Sequence, residues 1–101
     1  MYSATNTQIF VAEHLVATSI LDVAASYNNI AIIYKNQGKY EEVLEYYQKD
    51  LDITVRVVGG DHPDVAASFN NIGAVYAGKG DVENALVQYQ KALEILSLIH
   101  I

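Results

Sequence analysis

The sequence has no cysteine, no tryptophan, one proline, and half as many basic residues as acidic ones, six against twelve. Each shortage excludes something. Without cysteine there is no disulfide framework, no thiol nucleophile and no cysteine-ligated zinc, which fits a reducing, cytoplasmic compartment. The six cations (Lys35, Lys39, Lys49, Arg56, Lys79 and Lys91) are scattered along the chain. A nucleic-acid surface needs a basic stripe to displace counterions, and an anionic membrane surface attracts the same kind of cluster. Neither is an expected partner for a chain of formal charge −6. The apolar stretch Ile9–Leu21 carries Glu13 and His14 and lacks the basic region that precedes a signal sequence. Taken by itself it is short of the ~20 residues that a bilayer span requires.

What the chain does have is an internal copy of itself. Residues 22–57 return as residues 64–99, displaced by 42 positions, with 17 of the 36 aligned residues identical. A period of this size marks a stack of small units, each unable to bury its apolar faces alone. With 51% hydrophobic residues, the chain is also too apolar for a disordered tail.

Both copies have helical periodicity. In the first, Val23, Tyr27, Ile30, Ala31 and Tyr34 fall at steps of three and four, which predicts one helix with a single apolar stripe. Gly38 interrupts it, and Tyr40, Val43, Leu44, Tyr47, Leu51, Val55 and Val58 make a second stripe. The second copy repeats this with Val65, Phe69, Ile72, Gly73 and Tyr76, a turn at Gly78-Lys79-Gly80-Asp81, and then Val82, Ala85, Leu86, Tyr89, Ala92, Leu93 and Leu96. Between the copies, Gly59-Gly60 permits the positive φ of a helix end. Pro63 suits the first turn of the next helix, with Asp61 or His62 as its cap, and Asp81 suits the cap of the last. Residues 1–21 align in phase with 43–63, so a helix over roughly 5–18 is expected as the second half of a degenerate preceding unit. Its joint is weak, because Ala17-Thr18 replaces the glycine pair, and the chain can run helically into Asp22.

A helix, a short glycine turn and a second helix, with these small and aromatic positions, resemble the tetratricopeptide repeat. The second copy supplies Phe69, Ile72-Gly73, Tyr76, Ala85, Tyr89 and Ala92 at the places of that pattern, and the first supplies Tyr27, Ile30-Ala31, Tyr34, Val43 and Tyr47. The 42-residue period and the Gly60-Asp61-His62-Pro63-Asp64 link are similar to the kinesin light chain variety. The resemblance implies an all-α superhelix of antiparallel helix pairs, about five helices in one array over 1–101, with full units at 22–63 and 64–101. It also implies a protein- or peptide-binding scaffold whose first helices line a concave groove. The positions so assigned are Asn28, Asn29, Ile32 and Lys35 in the first unit and Asn70, Asn71 and Ala74 in the second. Asparagine amides both donate and accept, so they suit the backbone of an extended peptide. With Lys35 as the groove's one cation, a neutral or mildly basic apolar peptide fits better than an acidic one.

Asp50 departs from the pattern, which places alanine there. A carboxylate facing another helix must find partners, because burying it unpaired is expensive, and a tyrosine hydroxyl or an asparagine amide is the expected partner. The apolar C-terminal stretch predicts self-association, as a dimer with or without exchanged helices, through Ala92, Leu96, Ile99 and Ile101. A self-assembling structural unit is thus the alternative to a peptide-binding scaffold.

Enzyme chemistry finds no inventory. His14, His62 and His100 lie at unrelated phases, which predicts no metal site. Glu41, Glu42 and Glu45 fall on a solvated face without a tuned partner. The glycines mark turns and do not form a phosphate loop, so no cofactor is expected. His62-Pro63-Asp64 matches the tripeptide of J-domain co-chaperones, but here it occupies a unit boundary.

Overall fold

The computed structural model describes residues 3–99, which form four α-helices and no strand. They are α1 (Asn6–Asn36), α2 (Tyr40–Val58), α3 (Pro63–Gly78) and α4 (Val82–Ile99). Each packs against its neighbour in sequence: α1 on α2, α2 on α3, α3 on α4. The result is a thin slab of 61 × 36 × 14 Å.

Four described helices stand where about five were expected, because the segment 5–18 and the first helix of the first copy are one. The glycines explain the difference. Gly59 ends α2 at φ 86, and Gly38 and Gly80 turn the chain inside each unit at φ 72 and 84, a region that residues with a Cβ avoid. Ala17-Thr18 offers no such escape, so the helix continues through Ser19 and Leu21. Thr5 starts it with a reciprocal box, in which its hydroxyl accepts from Gln8 N and the Gln8 side chain accepts from Thr5 N. The joint between the copies forms as its residues suggest. His62 caps α3, Nδ1 accepting from Asp64 N at 3.0 Å, and Pro63 opens the helix. Asp81 caps α4, accepting from Asn84 N at 3.2 Å. His62-Pro63-Asp64 is thereby used as a helix start.

Continuity changes one further reading. With α1 at 31 residues, the apolar stretch near its beginning belongs to a helix long and apolar enough, by length and composition, to cross a membrane. Its C-terminal half is engaged otherwise. Ala24 and Ala31 are buried, and Tyr46 of α2 lies between Tyr27 and Tyr34 of α1, with ring centroids 5.9 and 5.6 Å away.

The core sits in the middle of the slab, where Val43, Tyr47 and Leu51 of α2 meet Val65, Ala66, Ile72 and Val75 of α3, with Ala92 and Ile95 of α4 behind them. Val43 and Val65 are fully enclosed. The outer helices are covered on one side only. Val23, Ile30, Val82, Leu86, Tyr89 and Leu93, all expected in apolar stripes, are exposed because no further unit lies against them.

Within each unit an aromatic ring of the first helix is covered by a lysine of the second. The Lys49 ammonium lies 5.5 Å from the Tyr27 ring, and Lys91, its counterpart in the repeat, 5.4 Å from Phe69. Such pairs contribute about 0.5–1 kcal/mol at exposed positions. The link between Glu41 of α2 and Lys79 at the end of α3 ties neighbouring units at the surface.

Gly73 has a packing role with a checkable consequence. A Cβ there would lie 2.8 Å from Tyr89 Cε1 and 2.9 Å from Cδ1, so the tyrosine ring rests on the glycine backbone. Gly73→Ala gains about 1 kcal/mol of helix propensity but forces the ring away, which costs about 1–3 kcal/mol. Thermal unfolding is expected to show net destabilisation of roughly 1 kcal/mol, although alanine stands at the equivalent Ala31. An unchanged or raised melting temperature would remove the ring contact from the account.

Candidate functional site

Three helices converge on one cleft. From α1 come Ala24, Ala25, Asn28 and Asn29, from α2 Asp50 and Thr54, and from α3 Asp64, Ala67, Ser68 and Asn71. Leu21 of α1 also lines it, and counted from Leu21 in α1 and from Asp64 in α3 the others follow at steps of three, four, seven or eight, the condition for sharing a face. The cleft holds about 340 Å³. Ala24, Thr54 and Ser68 are buried in its floor, while Ala25, Asn29, Asp64, Ala67 and Asn71 are exposed on its rim.

The rim carries the repeat. Ala25 and Ala67 are equivalent, as are Asn29 and Asn71, so each of the two units gives the rim one amide and one methyl. The floor breaks the repeat. Asn28 Nδ2 donates to Asp50 Oδ2 at 3.3 Å, and Thr54 Oγ1 donates to Asp50 Oδ1 at 3.1 Å. This is the partner expected for Asp50, in its asparagine form and with a threonine added. One unit along, Ala92 and Leu96 replace Asp50 and Thr54, so Asn70 has no corresponding carboxylate. Ser68 Oγ donates back to Asp64 O at 3.1 Å, which anchors the opposite wall.

The electrostatics are acidic. Burial pushes the Asp50 carboxyl above its usual range, the hydrogen bonds from Thr54 and Asn28 pull it back, and the charge of Asp64 raises it again. Burial first, and the Asp50 charge second, also raise the Tyr47 phenol. Among the described residues, no cation lines the cleft. Lys39, Lys49 and Lys91 are laid over tyrosine or phenylalanine rings, and Lys79 is paired with Glu41.

Asn28, Asn29 and Asn71 are therefore brought together. Ile32 and Ala74 are exposed and continue the same faces of α1 and α3 one turn beyond the cleft, and Lys35 and Asn70 are exposed outside it. Thr54, Asp64, Ser68 and the alanine pair line the cleft, and the sequence reading missed them. Their signal was present in the spacing Asp64, Ser68, Asn71 along one face of a helix. At the other end of the chain, Ala92 is 1% exposed and packs in the core, which leaves it no area for a second copy. Leu96 is half-buried against that core. Ile99 is the last residue of α4, with its side chain outside the described structure, and Ile101 lies outside the described residues altogether. Among the described residues, no group of three or more His, Asp or Glu is placed to hold a metal ion.

The family model for the tetratricopeptide repeat matches residues 22–97, from the middle of α1 almost to the end of α4. The chain belongs to the tetratricopeptide repeat family. A search of curated proteins gives no match to set beside this. Tetratricopeptide repeats are generally protein–protein interaction scaffolds and typically non-catalytic. In this tetratricopeptide array, the cleft between the first helices of the two units is where amides, carboxylates and small apolar side chains meet.

The raised Asp50 carboxyl sets the sign of a pH effect. The folded chain binds the Asp50 proton more tightly than the unfolded chain does. Stability therefore falls as pH rises through the window between the ordinary carboxylate value and the raised one, and the cost is complete above it. Asp50→Asn removes the charge and keeps groups able to bond both partners. It is expected to melt above the parent at neutral pH, with the gap closing as the pH falls below the ordinary carboxylate range. Asp50→Ala loses two hydrogen bonds of ~1 kcal/mol each against ~0.6 kcal/mol of regained helix propensity, and is expected to be roughly 1 kcal/mol less stable than Asp50→Asn. The reverse order of the two variants would show that the partners of Asp50 contribute nothing.

Proposed function

We propose that the chain is a non-catalytic scaffold module that takes an extended peptide, bearing a basic side chain, along the concave face formed by α1 and α3. The observation that carries this reading is the cleft itself, with Asn29 and Asn71 on the rim and Asp50 and Asp64 in reach of a ligand. Amides one repeat apart suit the backbone of an extended segment, and the two carboxylates suit a lysine, an arginine or an amino terminus. Ala25 and Ala67 leave room for the chain to approach. The acidic cleft sharpens the sequence reading of a neutral or mildly basic ligand. We place the array with the kinesin light chain variety on its 42-residue period and its Gly60-Asp61-His62-Pro63-Asp64 link, and in the cytoplasm on its lack of cysteine.

A second reading has its own observation. Val16, Val23, Leu86 and Leu93 are exposed on the two outermost helices, each by half or more. Contiguous apolar surface on helices built to stack favours self-assembly, with another copy as the partner.

A peptide array probed with the soluble chain tests the first reading. Peptides with a lysine or arginine flanked by small or apolar residues are expected to dominate, with binding that weakens as salt rises. The Asn29→Ala/Asn71→Ala double variant is expected to lose about tenfold or more in affinity, while Asn70→Ala changes little. Binding that ignores the rim pair and ignores salt would place the ligand elsewhere.

A further inference from the structure

Four of the ten large apolar residues exposed on α1 fall in one row. Ile9, Val16, Val23 and Ile30 are seven residues apart over most of the helix, and they are 45, 58, 50 and 37% exposed. On a straight helix such a row drifts by ~20° per repeat, so it forms one slowly turning seam. A β-branched residue in every heptad supplies one of the two seam positions of a paired helix, and the positions three further on, Ala12, Ser19, Ser26 and Ile33, are small except for the last. The seam is also symmetric about a point between Ser19 and Ile20. Run antiparallel to itself about that point, it sets Ile9 against Ile30 and Val16 against Val23.

We infer that α1 pairs antiparallel with α1 of a second copy across this seam, with the two-fold axis between Ser19 and Ile20. The inference rests on the self-assembly reading and gives it a geometry. Two observations choose the occupant. The first is the repeat itself. Residues 1–21 are in phase with 43–63, so the N-terminal half of α1 has the place in the pattern that α2 has before α3. In the chain it cannot fold back, because Ala17-Thr18 stands where Gly59-Gly60 turns. Extended instead, it can lie on the C-terminal half of the partner's α1 as α2 lies on α3, and it receives the partner's in return. The centre of that exchange coincides with the joint.

The second observation is length. The open face of α4 is the competing partner for α1, but α4 has 18 residues against 31. At ~1.5 Å per residue it would leave some 20 Å of the seam in water, and a head-to-tail contact of that kind cannot close at two copies through one self-complementary patch. A second α1 covers the whole seam and closes after two copies. A bilayer is the other apolar environment available. It would have to strip away the Tyr27–Tyr46 and Tyr34–Tyr46 contacts and the Asn28–Asp50 bond to span α1, and residues 6–21 alone fall short of ~20.

The absence of cysteine makes the test direct. Ser19→Cys puts a thiol beside its own copy at the axis, and Leu93→Cys puts one on the open face of α4. Sedimentation is expected to give a dimer, and mild oxidation is expected to cross-link Ser19→Cys and not Leu93→Cys. Val16→Glu, at an exposed site that leaves the fold intact by circular dichroism, is expected to weaken the dimer by about tenfold or more. Val16→Glu/Val23→Lys sets opposite charges across the seam and is expected to recover it. A monomer at all concentrations overturns both the pairing and the self-assembly reading. A dimer that cross-links at Leu93, or that Val16→Glu does not weaken, overturns the pairing and leaves self-assembly standing. Flotation of the chain with liposomes in place of dimerisation also overturns it.

Discussion

A two-helix unit with apolar residues on both sides is stable only when something covers both sides. Two units in a row supply one interface between them, α2 on α3, and the largest enclosed side chains lie on those two helices: Val43 and Val65 complete, Tyr47, Leu51, Ile72 and Val75 nearly so. The residues of α4 that correspond to Leu44, Tyr47 and Leu51 are Leu86, Tyr89 and Leu93, and all three are exposed. The same side chains are core in one unit and surface in the next, and the difference is only the presence of a neighbour. Hydrophobic burial follows area removed from water, so each open end is a stabilisation that the chain alone does not collect. The small contacts inside a unit, a lysine over an aromatic ring and a tyrosine on a glycine, hold the helix pair in shape but do not replace the missing layer.

The same stacking makes the cleft. Once α2 and α3 are locked by their shared core, the first helices of the two units are held side by side, and equivalent residues fall into rows without any long-range coding. Asn29 with Asn71 and Ala25 with Ala67 are rows of this kind. Asp64, too, repeats Asp22, but the second carboxylate of the cleft is a departure from the repeat. Asp50 replaces the alanine found at Ala92, and Thr54 replaces the leucine found at Leu96. The two changes belong together, because a carboxylate at the base of the cleft requires donors, and Thr54 and Asn28 provide them. A row of amides alone would be indifferent to ligand charge. The floor under it gives the cleft a sign.

Much of this was legible in the sequence because repetition turns a single ambiguous pattern into two agreeing ones. The helix pairs, the turns at Gly38, Gly59 and Gly80, the cap at His62 or Asp61 and the need of Asp50 for a partner all follow from local chemistry. What was not legible depends on how many units there are. The stripe containing Val23 and Ile30 looks like core in the sequence, and it would be core if a preceding helix pair were present. Ala92 looks like an interface residue by its place near the end, and it is core because α3 covers it. The count of helices fell from about five to four on a glycine pair replaced by Ala17-Thr18, a change whose effect was foreseen but whose outcome a pattern cannot decide. Side-chain partnerships across the cleft, Asn28 to Asp50 above all, join residues on different helices, and periodicity within one helix carries no information about them.

The departures from the repeat are therefore more informative than the repeat. Identity between the copies fixes the scaffold: helix, turn, helix, small against aromatic. Each place where the copies differ with structural consequence alters what the scaffold offers outward. Asp50 against Ala92 sets the charge of the cleft. Gly73 against Ala31 lets a tyrosine settle onto the backbone at the open end. Ala17-Thr18 against Gly59-Gly60 keeps α1 continuous, and a continuous α1 carries its heptad row on one helix where a turn would fold half of it against the other. A chain with a glycine pair at both joints would have covered its own first face. This one leaves that face exposed along its longest helix, at Ile9, Val16, Val23 and Ile30.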